Sequence, residues 1–263
     1  MIDINSHVLW QLDDGSQSLA MSKKMLELAW EHGTQAMVFT PHVIEGQEKP
    51  SWKQIQEKTW QLQEWLRQEK SELQVFPGAE VQMNWELLPE LAEQGAYCID
   101  GGKYILIELP MDEIPVYADS FWYELELKGI QPILAHPERY MRLMRHKEII
   151  YKWRERGLLF QCNAGSFVGN FGKQALTNAK FLLDADMVDL IGSDAHRDQV
   201  RNPDMSQAAK VIEEWAGAQR LRQITVENPL LLLEGKKISV REPLVCVENN
   251  KQSFWKKILA KLV

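Results

Sequence analysis

The chain has 263 residues, 45% of them hydrophobic, with 30 Lys and Arg against 37 Asp and Glu for a net charge of −7. A composition so near the globular average excludes disorder, collagen-like repeats and low complexity, and the length admits one α/β barrel or two smaller domains. The acidic balance argues against nucleic acid as a partner, no apolar run reaches the ~20 residues of a membrane span, and the N-terminus reads without a signal peptide.

Short apolar runs alternate with longer helical stretches. Strands are predicted at 2–5, 36–40, 73–77, 104–109, 131–135, 158–162 and 187–191, and helices at 18–32, 51–70, 113–128, 146–156, 171–184 and 206–218. The helix over 51–70 has the plainest pattern: Trp52, Ile55, Thr59, Leu62 and Leu66 recur every three or four residues among Glu, Gln and Lys. Strict alternation implies parallel strands, because each parallel crossover needs a connection long enough for a helix. Seven such units make a (β/α) barrel one strand short of eight, with an open doubly wound sheet as the competing arrangement. Residues 1–235 read as one unit. Residues 236–263 form a basic tail with seven Lys and Arg against two Glu, ending in an amphipathic segment over 253–263. Such a segment packs on the barrel, meets a second subunit or lies on anionic lipid.

The cysteines Cys98, Cys162 and Cys246 are few and widely spaced, which fits a reducing cytosol rather than a disulfide framework. They also exclude a cysteine-dependent phosphatase loop, which needs Arg six positions after the nucleophile; those positions hold Tyr104, Val168 and Gln252.

Polar residues gather where the predicted strands end. Asn5 and His7 follow the first strand, His42 the second and Glu80 the third; Glu108 ends the fourth. His136 follows the fifth, Asn163 the sixth, and Asp194 and His196 the seventh. In a parallel barrel these ends open on one face, where active sites are built. Histidines and carboxylates on one rim suit a multi-metal site; each residue alone has a structural explanation, and the convergence is what carries weight. Arg139 and Arg201 lie close in sequence to these groups, and their planar forks match phosphate oxygens. Trp10, Trp85 and Trp122 each follow a strand end and are candidates to line the approach, with core packing as the alternative.

The segments MIDINSH with LDDG, FTPH at 39–42, PGAE at 77–80, ILIELP at 105–110, LAHPERY at 134–140, QCNAGS at 161–166 and IGSDAH at 191–196 run in order along residues 1–235. With Arg201 they resemble the polymerase-and-histidinol-phosphatase (PHP) superfamily. Within it they are most similar to the manganese-dependent protein-tyrosine phosphatases encoded with bacterial capsule and exopolysaccharide genes. The resemblance implies a distorted (β/α)7 TIM-like barrel of the PHP type holding two or three divalent ions, Mn first, with Fe, Co or Zn also suited to the donors. By position it implies Asn5, His7, Glu80 and Asp194 at a first metal, and Glu80, Glu108 and His136 at a second. Asp14, His42 and His196 would serve a third, and Arg139 and Arg201 would hold the phosphoryl oxygens.

The implied reaction is attack of a metal-held hydroxide on phosphotyrosine, with His42 or a metal-bound water as the acid. The implied substrate is a phosphorylated tyrosine kinase controlling polysaccharide export, met in the cytoplasm, with membrane or subunit contact through the tail. One departure stands out: the family opens Asp-x-His-x-His, and this chain has Asn5 at the first of those histidines. An amide is a weaker donor, so a weakened first metal and lower turnover are expected. The alternatives are a small-molecule phosphatase of the histidinol phosphate kind and a pseudo-enzyme that binds phosphotyrosine without cleaving it.

Overall fold

Alternation along the strands sets the layering of the molecule. In the strand Tyr104–Glu108, Tyr104 and Leu106 join an inner apolar cluster with Ile2, Val38, Ile133, Leu159 and Leu190. Ile105 and Ile107 join an outer cluster with helix residues such as Leu26, Leu62, Phe121 and Leu182. Period-two side chains thus fill the barrel on one side and seat the helices on the other.

The computed structural model describes residues 1–92 and 95–244. Its strands are β1 (Ile2–Asp3), β2 (Ala36–Phe39), β3 (His42–Val43), β4 (Gln74–Pro77), β5 (Glu80–Gln82), β6 (Tyr104–Glu108), β7 (Gln131–Ala135), β8 (Leu159–Asn163) and β9 (Leu190–Gly192). All described pairings are parallel, in the orders β1-β2-β4 and β3-β5-β6-β7-β8-β9. A parallel bridge from Ser6 to Ala195 ties the end of the first strand to the end of the last. That closure selects the distorted (β/α)7 barrel over the open sheet.

The second and third predicted strands are each followed by a further short strand that the sequence reading leaves as loop. Pro41, which has no N–H to donate, separates β2 from β3. Gly78 separates β4 from β5 where a Cβ would lie 2.9 Å from Val38 Cγ1. His42 and Glu80 are therefore not loop residues beyond a strand. They sit in β3 and β5 as paired register partners, and Gln82 pairs with Glu108 on the next strand.

The layer of helices begins with α1 (Leu19–Glu31), capped by the Ser18 side chain, and α2 (Trp52–Gln68), closed by a reciprocal Ser51–Gln54 capping box. It continues with α3 (Ala118–Leu127), α4 (Met141–Arg145), α5 (Lys147–Glu155), α6 (Ala164–Phe167) and α7 (Lys173–Asp184). It ends with α8 (Ser206–Ala216), α9 (Ala218–Arg222) and α10 (Asn228–Leu233). Ile55, Thr59, Leu62 and Leu66 are the buried face of α2. Trp122, a candidate for the approach to the site, is instead core: it is 2% exposed and meets Phe121 and Trp153 edge to face. Among the described residues no helix is long and apolar enough to cross a membrane.

Leu232 and Ile238 close the inner cluster at the far end. Tyr104 Oη donates to Lys236 O at 2.6 Å and accepts from Ile238 N, so residues just past 235 are tied to the barrel floor. The amphipathic segment over 253–263 lies outside the described residues. Nearby, the buried Arg154 guanidinium pairs bidentately with buried Asp189, which also accepts from Phe160 N at 2.8 Å. Asp189→Ala leaves Arg154 buried without its counter-charge and is expected to cost about 3–5 kcal/mol in a urea titration.

Candidate metal centre

The inward positions at the strand ends converge on Glu80, fully buried at the start of β5. His7 Nε2 lies 3.2 Å from Glu80 Oε2, His42 Nδ1 3.4 Å from the same oxygen, and His136 Nε2 3.0 Å from Oε1. Glu108 stands 3.2 Å from His42 Nδ1 and 3.8 Å from His136 Nε2. Asp194 Oδ1 is 3.5 Å from His7 Nε2 and 3.6 Å from His196 Nδ1. Asp14, on the exposed loop after β1, reaches His196 Nε2 at 3.3 Å and His42 Nε2 at 3.8 Å. The His7 and His196 rings are 4.0 Å apart and those of His7 and His42 4.4 Å.

Three groups bring candidate ligand atoms within 4.8 Å of one another: His7, Glu80 and Asp194; His42, Glu80 and Glu108; and His7, Asp14, His42 and His196. The donor chemistry fits divalent cations. The buried polar atoms His7 Nε2, His42 Nδ1 and Glu80 Oε2 have no hydrogen-bond partner, although buried polar atoms are ordinarily paired. Imidazole and carboxylate together suit Mn, Fe, Co or Zn. Burial works against the charged forms of His7 and Glu80, yet their neighbours win, whereas at His196 burial prevails and lowers its value. Asp13 and Glu80 hold His7 well above its usual value, and His136, His7 and His42 hold Glu80 well below the usual carboxylate range. Burial also pushes the neighbouring Asp3 up to about 7.

Asn5 is spatially in the cluster, but its amide is engaged elsewhere. Oδ1 accepts from Thr40 Oγ1 at 2.6 Å, while Nδ2 donates to Glu80 Oε1 at 3.1 Å and Gln161 Oε1 at 3.4 Å. The Thr40 hydroxyl itself accepts from Ser6 N at 2.9 Å, which leaves its proton for Asn5. The group that Asn5 turns toward Glu80 is therefore an N–H donor, with no lone pair for a cation. Gly192 makes the packing possible, since a Cβ there would stand 2.6 Å from Asn5 Cβ.

The two arginines meet on Asp194: Arg139 Nη1 donates to Oδ2 at 2.9 Å and Arg201 Nη2 pairs with Oδ1 at 2.8 Å. The Phe171 ring supports both, 4.4 Å from the Arg139 guanidinium carbon and 5.5 Å from that of Arg201. His136, Asp194 and Arg201 all have left-handed backbone, with φ of 34°, 52° and 51°. Non-glycine residues there cost of order 1–3 kcal/mol each, and such strain concentrates at functional sites.

Several participants escaped the sequence reading. Asp13, beside Asp14 in the LDDG segment, holds His7 Nδ1 at 2.6 Å and accepts from His42 N at 2.9 Å. It thereby fixes which His7 nitrogen faces the cluster. Gln161 donates to Asn163 at 3.0 Å, and Asn163 Nδ2 donates to Asp194 Oδ2 at 2.6 Å. Alternation in β8 was the available signal for Gln161; Phe171 had none, being placed only by the turn between α6 and α7. Trp85 is half exposed against Tyr117 and Phe121, and Trp10 lies under the Lys58 ammonium.

The profile of the family described as "Capsular polysaccharide synthesis, CpsB/CapC" matches residues 1–234. The tyrosine-protein phosphatase YwqE of Bacillus subtilis (strain 168) is 35% identical over 243 residues, covering 92% of this chain and 95% of its own length. A solved structure from work on YwqE and Streptococcus pneumoniae CpsB, "unique metal-dependent tyrosine phosphatases", superposes with a TM-score of 0.86 at 34% identity, covering 92% of this chain and 98% of that one. A histidinol phosphate phosphatase from Lactococcus lactis shares the fold at a TM-score of 0.53 and 14% identity, over 82% of this chain and 95% of its own.

Cation binding to this rim should stabilise the chain by mass action. At a hundredfold excess over Kd the gain is about 2.7 kcal/mol, or roughly 5–10 °C in Tm for a domain of this size. Thermal unfolding with Mn2+ and with a chelator checks this, and Glu80→Gln should abolish most of the difference.

Proposed function

The chain belongs to the CpsB/CapC capsular polysaccharide synthesis family, and from that membership we propose that it is a metal-dependent phosphatase hydrolysing phosphotyrosine on proteins. The observation that carries the reading is the joint placement of buried His and carboxylate groups with two arginines turned to the same rim. Its natural substrate is proposed to be a tyrosine kinase that governs capsular or exopolysaccharide synthesis, met in the cytoplasm. Two or three divalent ions, Mn first, are proposed as the cofactor. Residues 1–235 are proposed as the catalytic barrel and 236–263 as a basic tail for a membrane or subunit contact.

His7, Glu80 and Asp194 would hold one ion, Glu80, Glu108 and His136 a second, and Asp14, His42 and His196 a third. When bound, such ions supply a Lewis acid and lower the pKa of water to near neutrality. The remaining work falls to this chain's side chains. Arg139 and Arg201 each spend one nitrogen on Asp194 and keep others for phosphoryl oxygens, and the Arg201 Nε is buried without a partner. Their charge is fixed before the substrate arrives, so little reorganisation is needed as negative charge spreads over the equatorial oxygens. Asp13 keeps His7 in one tautomer, and the Asn163 amide orients Asp194. The leaving phenolate has a parent pKa of ~10 and needs modest help. His42 Nε2, at the open edge of the cluster beside Asp14, is the protein group placed to deliver a proton when it is not itself a ligand.

Removing one guanidinium should cost about 10²–10³ in kcat by the scale of lost transition-state donors. Arg139→Ala and Arg201→Ala, assayed for phosphate release from a phosphotyrosine peptide, test the assignment; undiminished kcat in either removes that arginine from it. Comparing histidinol phosphate with the peptide in the same assay separates the small-molecule alternative. Release from histidinol phosphate alone would overturn the protein-substrate reading.

The donor orientation of the Asn5 amide supports a weaker first metal and lower turnover in this chain. Asn5→His is expected to raise the metal content per chain measured by elemental analysis and to increase kcat. Equal metal content in the two proteins would sink the idea. Peptide binding without phosphate release at saturating Mn2+, restored to turnover by Asn5→His, would identify the parent chain as the pseudo-enzyme.

A further inference from the structure

Besides meeting Asp194, Arg139 borders open space. With Arg142, Arg145 and His146 it lines a cavity of about 500 Å³ beside the metal rim. The 3₁₀ turn Pro137–Arg139 and α4 are separated by the extended Tyr140, and Arg139 from the turn meets Arg142 and Arg145 from the helix on one cavity wall. Leu143 and Met144 between them are buried in the outer core, which fixes the arginine side outward. Arg142 and Arg145 are exposed, and among the described residues neither guanidinium has an ion pair or side-chain hydrogen bond. Many surface cations are neutralised, as Lys24 is by Asp198, Lys49 by Glu45 and Glu90, and Lys180 by Asp184; what distinguishes Arg142 and Arg145 is that they share a cavity wall with Arg139. The acidic group on this cavity wall is Asp112. Arg142 and His146 also border a neighbouring cavity of about 320 Å³, where Lys152 is paired with Asp119 and His146 Nδ1 lies 3.0 Å from Glu148, so the unpaired charge of this strip is that of Arg142 and Arg145. On a chain of net charge −7 this is a local reversal of sign, continuous with an arginine assigned to the phosphoryl group.

We propose that this row is a docking subsite for acidic side chains flanking the phosphotyrosine of a protein substrate, a reading that rests on the phosphatase function proposed above. From Arg139 through the extended Tyr140 and along α4 to Arg145 the chain advances on the order of 10 Å, and an extended peptide covers that in about three residues. The acidic positions are therefore the first three beside the phosphotyrosine. Exposed guanidinium–carboxylate attraction of this kind is screened over ~8–10 Å at ordinary salt, so the selectivity fades as ionic strength rises.

The test uses the full chain with Mn2+ and two fluorescent phosphotyrosine peptides, one with Glu and Asp in the three flanking positions and one with Gln and Ser. Anisotropy gives Kd and phosphate release gives kcat and KM. The expected result is a preference of about tenfold for the acidic peptide in Kd and KM, with similar kcat for both. The preference should fall below about twofold in the Arg142→Gln, Arg145→Gln double variant, return in the Lys double variant, and grow in Asp112→Asn. No preference in the parent chain, or a preference that survives the Gln double variant, overturns the subsite. A preference in Kd with no phosphate release supports the subsite and overturns the hydrolytic reading alone.

Discussion

Glu80 is the constraint around which the site is arranged. A fully buried carboxylate is costly to ionise, and this one is kept charged by three imidazoles at 3.0–3.4 Å. Those imidazoles come from the ends of β1 and β7 and from β3, so the charge balance needs a closed barrel. The two further short strands serve the same end. Pro41 and Gly78 restart β3 and β5 so that His42 and Glu80 face each other in register. Without the break, period-two alternation would continue uninterrupted through these positions. The compensation is incomplete within the protein: His7 Nε2, His42 Nδ1 and Glu80 Oε2 are buried without a hydrogen-bond partner, and once the imidazoles give up their protons these atoms can receive cations.

Asp194 plays the corresponding part on the other side of the rim. It accepts from Asn163, Arg139 and Arg201, and its oxygen also lies near His7 and His196. One carboxylate thus belongs both to a prospective cation group and to the arginines assigned to phosphate. That sharing fixes the distance between the two halves of the site. The left-handed backbone at His136, Asp194 and Arg201 is the local cost of turning these side chains into one small volume. Asn5 shows how such sharing can be changed by a single residue. Its amide joins Thr40, Glu80 and Gln161 in a hydrogen-bonded group and offers the cluster a donor.

Much of this was legible in one dimension. The seven strand positions followed from short apolar runs between helical periods, and the rim residues from their place at those strand ends. Of the two alternatives for Trp122, approach or core, the structure takes the core, because position after a strand end does not say which face of a helix a ring occupies. Asp13 was passed over beside Asp14, since two adjacent loop carboxylates look alike until one is found against His7 and the other open to solvent. Phe171 carries no motif at all, and only packing puts its ring against two guanidinium groups from different loops.

The sequence by itself determined the parallel α/β order, the side on which polar residues accumulate, and the residue types available there. These are local properties: hydrophobic period, strand and helix length, and chemistry at a boundary. The tertiary structure alone decided that the sheet closes through Ser6 and Ala195, that β2–β3 and β4–β5 are broken, and that Asn5 points a donor at Glu80. It also decided that, among the described residues, Arg142 and Arg145 are unpaired beside Arg139. Those outcomes depend on which groups meet across dozens of residues, and hydrogen-bond direction and charge pairing exist only once the partners are in place.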